Sequence, residues 1–128
     1  MAVFHDLLLL VARILIGALF LWSGATAAIH WKGSTQHMQL KKLPTSLLPA
    51  AILLQIVGGL SVLLGYEARV GALLLIVFVI PSAIKMHDFW NTEGDAKMTQ
   101  KTLFMKEMAV LGGLLVFLVT GAGSFAFN

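Results

Sequence analysis

The sequence predicts an all-α, integral membrane four-helix bundle, and three observations predict it. Of the 128 residues, 59% are hydrophobic and only 12% are charged, with a mean hydropathy of +0.90. A soluble domain carries about 25% charged residues; half that supply cannot cover a water-facing surface. Four apolar stretches each approach the ~20 residues needed to cross a ~30 Å hydrocarbon core. The alternation of short segments that a membrane β-barrel requires is missing.

The spans fall at about residues 7–29, 47–66, 70–86 and 103–123, within one transmembrane domain covering residues 1–128. The first is interrupted only by Arg13. The second is introduced by Pro44 and Pro49 and closed by Gly65. Pro81 near the end of the third removes one helical hydrogen bond and predicts a kink or an exit from the core. A single interfacial turn is expected somewhere in 36–43. Inside lipid each backbone amide must be bonded within its own segment, so the spans are read as helices. The first span also imitates a signal peptide, with Ala25-Thr26-Ala27 resembling a cleavage site. It lacks an early Lys or Arg and is too long for an ordinary signal core, so it is read as a retained helix.

Lys32, Lys41, Lys42, Lys85, Lys97, Lys101 and Lys106 fall on the side of the two long loops, against Arg69 and Arg13 on the other. The positive-inside rule therefore predicts cytoplasmic loops and both termini outside, as in a bacterial or archaeal inner membrane. The net charge of +3 does not mark a nucleic-acid surface, because the basic residues sit at helix ends and in loops. No cysteine is present, which excludes a disulfide, a thiolate metal site and thiol–disulfide chemistry by this chain.

An internal match suggests two tandem helical hairpins. Arg13-Ile-Leu-Ile-Gly17 opens the first helix and Arg69-Val-Gly71 the third; Gly58-Gly59 lies in the second and Gly112-Gly113 in the fourth. His30-Trp31 and His87-Asp-Phe-Trp90 follow the first and third. Helices built from Leu, Ala, Gly and Val also match one another by chance, so both explanations stand. The glycines Gly17, Gly24, Gly58, Gly59, Gly112 and Gly113 are read as packing positions, where backbones approach closely.

Polar residues inside the apolar helices carry the functional reading. Arg13 either snorkels to the headgroups or faces inward to bind an anion, a quinone carbonyl or a carboxylate such as Glu67. Gln55 needs a partner for its amide and serves either as interhelical glue or as a pocket wall. His87 beside Asp88, with Trp90, Lys106 and Glu107, forms a polar and aromatic cluster at the loop-side interface. It can anchor the surface, shuttle a proton or hydrogen-bond a quinone oxygen. Methionine and histidine ligands for copper or haem show no demanding spacing, and no metal site is expected.

These residues, in order, resemble the DoxX-like family of small four-helix membrane proteins. The pieces are Arg13 to Gly17, Phe20-Leu-Trp-Ser-Gly24, Gln55-Ile-Val-Gly58-Gly59, Gly65, Arg69, His87-Asp-Phe-Trp90, Lys106, Gly112-Gly113 and Gly121-Ala-Gly123-Ser124-Phe125. The resemblance implies a membrane subunit of a quinone-linked oxidoreductase or redox-stress complex. Its ligand, a quinone or similar lipid-soluble molecule, would lie between helices, with no covalently bound cofactor. Candidate ligand-binding residues are Arg13, Gln55, His87, Trp90 and Lys106. Partners expected are the bilayer, a soluble or membrane oxidoreductase and a second copy of the chain, with no nucleic acid. The alternatives are a non-catalytic anchor that recruits a soluble enzyme, and a small transporter. The chain departs from the family pattern at Gln55, at Thr26-Ala27 and at Asn128, where ionisable residues are usual.

Overall fold

The computed structural model describes residues 2–125. Asn128, named above, lies outside them. Five α-helices follow one another: α1 (Ala2–Ile29), α2 (Trp31–Leu40), α3 (Leu48–Leu64), α4 (Ala68–Met86) and α5 (Asp95–Thr120), with short 3-10 turns at Thr45–Leu47 and Phe89–Asn91. Four segments are long and apolar enough to cross a membrane: Val3–Ile29, Thr45–Leu64, Ala68–Asn91 and Asp95–Thr120. Their outward faces carry large apolar side chains such as Leu15, Trp22, Leu53, Val77 and Val119, as lipid contact requires.

Three elements differ from the sequence reading, the first helix beginning at Ala2 rather than near residue 7. The last helix begins at Asp95, not near 103, because a polar first stretch extends it beyond the apolar run. Gly94 at φ +68 turns the chain, and Asp95 places an acid in the first turn, where it favours the helix dipole. Likewise α2 is a ten-residue helix rather than one turn. Its polar composition hides it from a search for apolar runs.

The core is built on α3, which packs against α1 on one side and α4 on the other, while α5 packs on α4. Glycine permits the closest approaches. A Cβ on Gly17 would come within 2.8 Å of the Gly59 carbonyl, and one on Gly58 within 3.0 Å of the Gly71 carbonyl. Thus Gly59 admits α1 and Gly58 admits α4. A Cβ on Gly24 would meet Ile56 and Gln55. The second pair is different: nothing lies within 4 Å of a Cβ on Gly112, and only Ile16 approaches Gly113. Among the described residues Gly112 and Gly113 therefore make no close backbone approach, and Gly113 has only an ordinary contact with Ile16.

Arginines close the two hairpins. Arg13, 2% exposed, donates from Nε to the Val62 carbonyl at 3.2 Å and from a terminal nitrogen to Leu63 at 3.2 Å. Its other terminal nitrogen donates to the Ala122 carbonyl at 3.1 Å and to that of Phe125. Arg69 donates from Nε to the Leu118 carbonyl and from a terminal nitrogen to Val119, each at 3.1 Å. Val62 and Leu63 belong to the last turn of α3, and Leu118 and Val119 to that of α5, where helical donors run out; the Val62 carbonyl also accepts the Gly65 N–H at 3.2 Å. The cation also suits the negative end of each helix dipole. Both helices end on glycines with positive φ, Gly65 at +75 and Gly121 at +74.

Candidate functional site: an apolar cavity with polar walls

On the loop side, α1, α2, α3 and α4 line an open cavity of about 580 Å³. Its walls are largely apolar, with Met38, Leu48, Leu54 and Phe78 among them, and Ser23, His37, Gln55, Ser82 and Lys85 supply polarity. A second hollow of about 320 Å³ adjoins it, lined by Glu107, His87, Leu19 and Val110. Ser23, His37, Phe78, Ser82 and Met86 line both hollows, so the two share a wall.

α2 crosses the loop side of the larger cavity. Its buried anchor is Met38, whose carbonyl accepts the Leu43 N–H at 2.9 Å as the chain turns toward α3. Just beyond its end, Lys41 Nζ meets Asp88 Oδ1 at 2.5 Å, tying α2 to the end of α4. Both side chains are largely shielded, which makes this a stronger tie than an ordinary surface pair. Burial, the Lys41 ammonium and His87 hold the His37 imidazole below its ordinary range. His37 therefore presents a neutral ring to both hollows at neutral pH.

Gln55 lies midway along α3 and is 3% exposed. Its amide nitrogen makes a long 3.4 Å contact to the Ala51 carbonyl one turn earlier, and its oxygen has no hydrogen-bond partner among the described residues. On α4, Pro81 has no N–H to give the Val77 carbonyl, and both residues line the same cavity. Across the second hollow, Glu107 Oε2 is buried and likewise unpartnered among the described residues. His87 Nδ1 lies 3.0 Å from Gln100 Oε1.

The sequence-selected residues thus separate. Gln55 and His87 line adjoining hollows. Arg13 is outside both, and its hydrogen bonds go to main-chain carbonyls rather than to the Glu67 carboxylate. Trp90 is half exposed and stacks edge-on with Phe89 and Phe104. Lys106 lines a shallow outward groove on α5 with Lys101 and Met105. The next residue, Glu107, turns inward because one helical step rotates the side chain by about 100°. Its place was readable: Val110, Leu111 and Leu114 stand three, four and seven residues later, on the buried face. Ser23, Ser82 and His37 carried no comparable signal, since small polar residues and a histidine in a polar helix are common anywhere.

A multi-pass helical membrane protein with an open, mostly apolar hollow is the class that this architecture defines. The chain belongs to the DoxX family, whose model matches residues 8–88. It is 32% identical to the inner membrane protein YqjF of Escherichia coli over 97% of this chain and 92% of that protein. It is 27% identical to the inner membrane protein YphA of the same organism, over 97% and 90% of the two chains. An uncharacterized Caenorhabditis elegans protein, T02E1.7, is 30% identical over 51% of this chain and 24% of its own length. No solved structure matches significantly.

Proposed function

We propose that this chain is a small inner-membrane subunit that binds a quinone or a similar lipid-soluble ligand between its helices, in association with an oxidoreductase. The observation that carries this reading is the cavity of about 580 Å³ with the buried Gln55 amide in its wall. Small-molecule sites are concave, mostly apolar and furnished with a few placed polar groups, and volumes of ~300–1,000 Å³ suit them. A ring headgroup fits among Phe78, Met38 and Leu54, while Ser23, Ser82, His37 and Gln55 offer hydrogen bonds. His87 and Glu107 stand one hollow away.

The Lys-rich loops support an orientation with loops in the cytoplasm and both termini outside. They also offer a basic surface to an oxidoreductase partner, and a second copy of the chain is a further candidate partner.

Purification in mild detergent followed by lipid extraction and chromatography tests the ligand. Quinone should co-purify with the wild-type chain and be depleted in Gln55→Leu. Absence of quinone from every preparation, together with no thermal shift on adding quinone, would sink the proposal.

A further inference from the structure

The larger hollow changes character along its length, and its charge has one sign. Leu54, Val77 and Phe78 line its membrane end, while Lys85, His30 and His37 line its loop-side rim. From Val77 to Lys85 is eight residues (85 − 77), about 12 Å of helix. Leu47, Val77 and Pro81 line the hollow and are themselves exposed on two membrane-crossing segments, so it opens toward the lipid tails. No Asp or Glu lines it among the described residues; Glu107 belongs to the second hollow. Lys85 makes no ion pair among the described residues. The carboxylate three positions on, Asp88, is held by Lys41 at 2.5 Å and by Asn91 at 3.3 Å.

A lysine at a helix end commonly serves only to anchor the chain among headgroups. Lys85 is placed differently, since the same side chain also lines an apolar slot. An uncompensated ammonium at the rim of such a slot attracts an anion and repels a cation, and its hydrogen bond to a carboxylate is about twice as strong as a neutral one. We infer that the hollow takes a single-chain amphiphile with a carboxylate headgroup, its tail among Leu54, Val77 and Phe78 and its head at Lys85. The ring N–H groups of His30 and His37 are further donors at that rim. A volume of about 580 Å³ suits a molecule of one chain rather than a two-chain phospholipid. This rests on the ligand-site reading above and names the class of lipid-soluble ligand. The ligand is held and not transformed.

Partitioning of radiolabelled probes between phosphatidylcholine nanodiscs carrying the full chain and empty ones tests this, in alkaline buffer that keeps the carboxyl ionised. Dodecanoate, dodecanol and dodecyltrimethylammonium share one tail length, and a decyl-substituted benzoquinone is the remaining probe. Dodecanoate should bind saturably and at least about tenfold more tightly than the alcohol or the cation, the scale of one charge-assisted hydrogen bond. That preference should fall below about threefold in Lys85→Met. Lys85→Arg, which keeps the charge, and Lys97→Met, whose lysine lies outside the hollow, should retain it. Excess phosphatidylglycerol in the nanodiscs should leave dodecanoate bound; displacement would assign the site to a phospholipid and overturn the single-chain occupant. Equal binding of the three dodecyl probes, or a preference unchanged in Lys85→Met, overturns the inference, and benzoquinone binding in the same preparations would leave the ligand site standing. Saturable binding of none of the four overturns both.

Discussion

Arg13 and Arg69 make the same pair of bonds in the two halves of the chain. Each donates from Nε to the carbonyl 49 residues later and from a terminal nitrogen to the carbonyl 50 residues later. Arg69 stands 56 positions after Arg13 (69 − 13), and Gly121 stands 56 after Gly65 (121 − 65). The two hairpins therefore repeat a capping device as well as a helical pattern. Gly58-Gly59 and Gly112-Gly113 are separated by 54 positions (112 − 58), two residues out of that register. This is why the second glycine pair does not reproduce the packing of the first.

Removing the clasps should affect stability unequally. Arg13→Ala takes the Arg13 donor from the Leu63 carbonyl and leaves Val62 with the Gly65 N–H, at about 1–3 kcal/mol for a group so stranded. Arg69→Ala, at an exposed position, should cost less than half as much. Arg13→Lys should not rescue, because an ammonium lacks the planar fork that reaches neighbouring carbonyls. Thermal unfolding of the purified variants, followed by circular dichroism, checks the order.

Glycine substitutions divide in the same way. Gly17→Ala would place its methyl 2.7 Å from Leu63 Cβ and 2.8 Å from the Gly59 carbonyl. Forcing α1 from α3 should destabilise the bundle by about 1–3 kcal/mol. Gly112→Ala meets nothing within 4 Å and should match or exceed wild-type stability, since alanine favours the helix. Equal losses at the two sites would show that α5 packs through Gly112 on another chain.

The α2 segment should loosen on acidification. Burial first, then Lys41 and His87, hold the His37 imidazole below its ordinary value of 6.5. The folded state thus resists a proton that the unfolded segment accepts. This contribution to stability is complete above about 6.5 and declines as pH falls through 6.5 toward the lowered native value. His87 and Glu107 face His37 across the second hollow, and Lys41 follows it on its own segment. Hydrogen exchange of the α2 amides, corrected for intrinsic rates, should show protection lost between pH 7.5 and 5.5, and His37→Gln should flatten the change.

Orientation can be read directly because the natural chain has no cysteine. Single cysteines at Tyr66 and Lys97 should label from opposite sides of intact spheroplasts with a membrane-impermeant maleimide. Tyr66→Cys should react from outside and Lys97→Cys only after lysis. The reverse pattern would invert the assignment from the lysine distribution.

The spans were legible because lipid exposure leaves a strong compositional mark, and Gly17 and Gly59 because close helix approach admits little else. What faced what was harder. Arg13 and Gln55 are both polar residues in apolar helices, yet one is saturated by carbonyls and the other is stranded beside a cavity. That difference depends on where the chain termini and the α3–α4 turn come to rest, which local sequence does not record. Glu107 and Lys106 are neighbours in sequence on opposite faces of α5, and only the helical phase of Val110, Leu111 and Leu114 separates them.

The positions of the arginine clasps have a mechanical consequence. Both fasten the face that carries the α3–α4 turn and the end of α5, while the hollows lie toward the other face, under a helix held by Met38 and by Lys41 with Asp88. The bundle is built like a clothes peg, sprung shut at one end with its jaws at the other. Breaking the Lys41–Asp88 pair and unseating Met38 would therefore loosen the hollow end without disturbing the joints that hold the hairpins together.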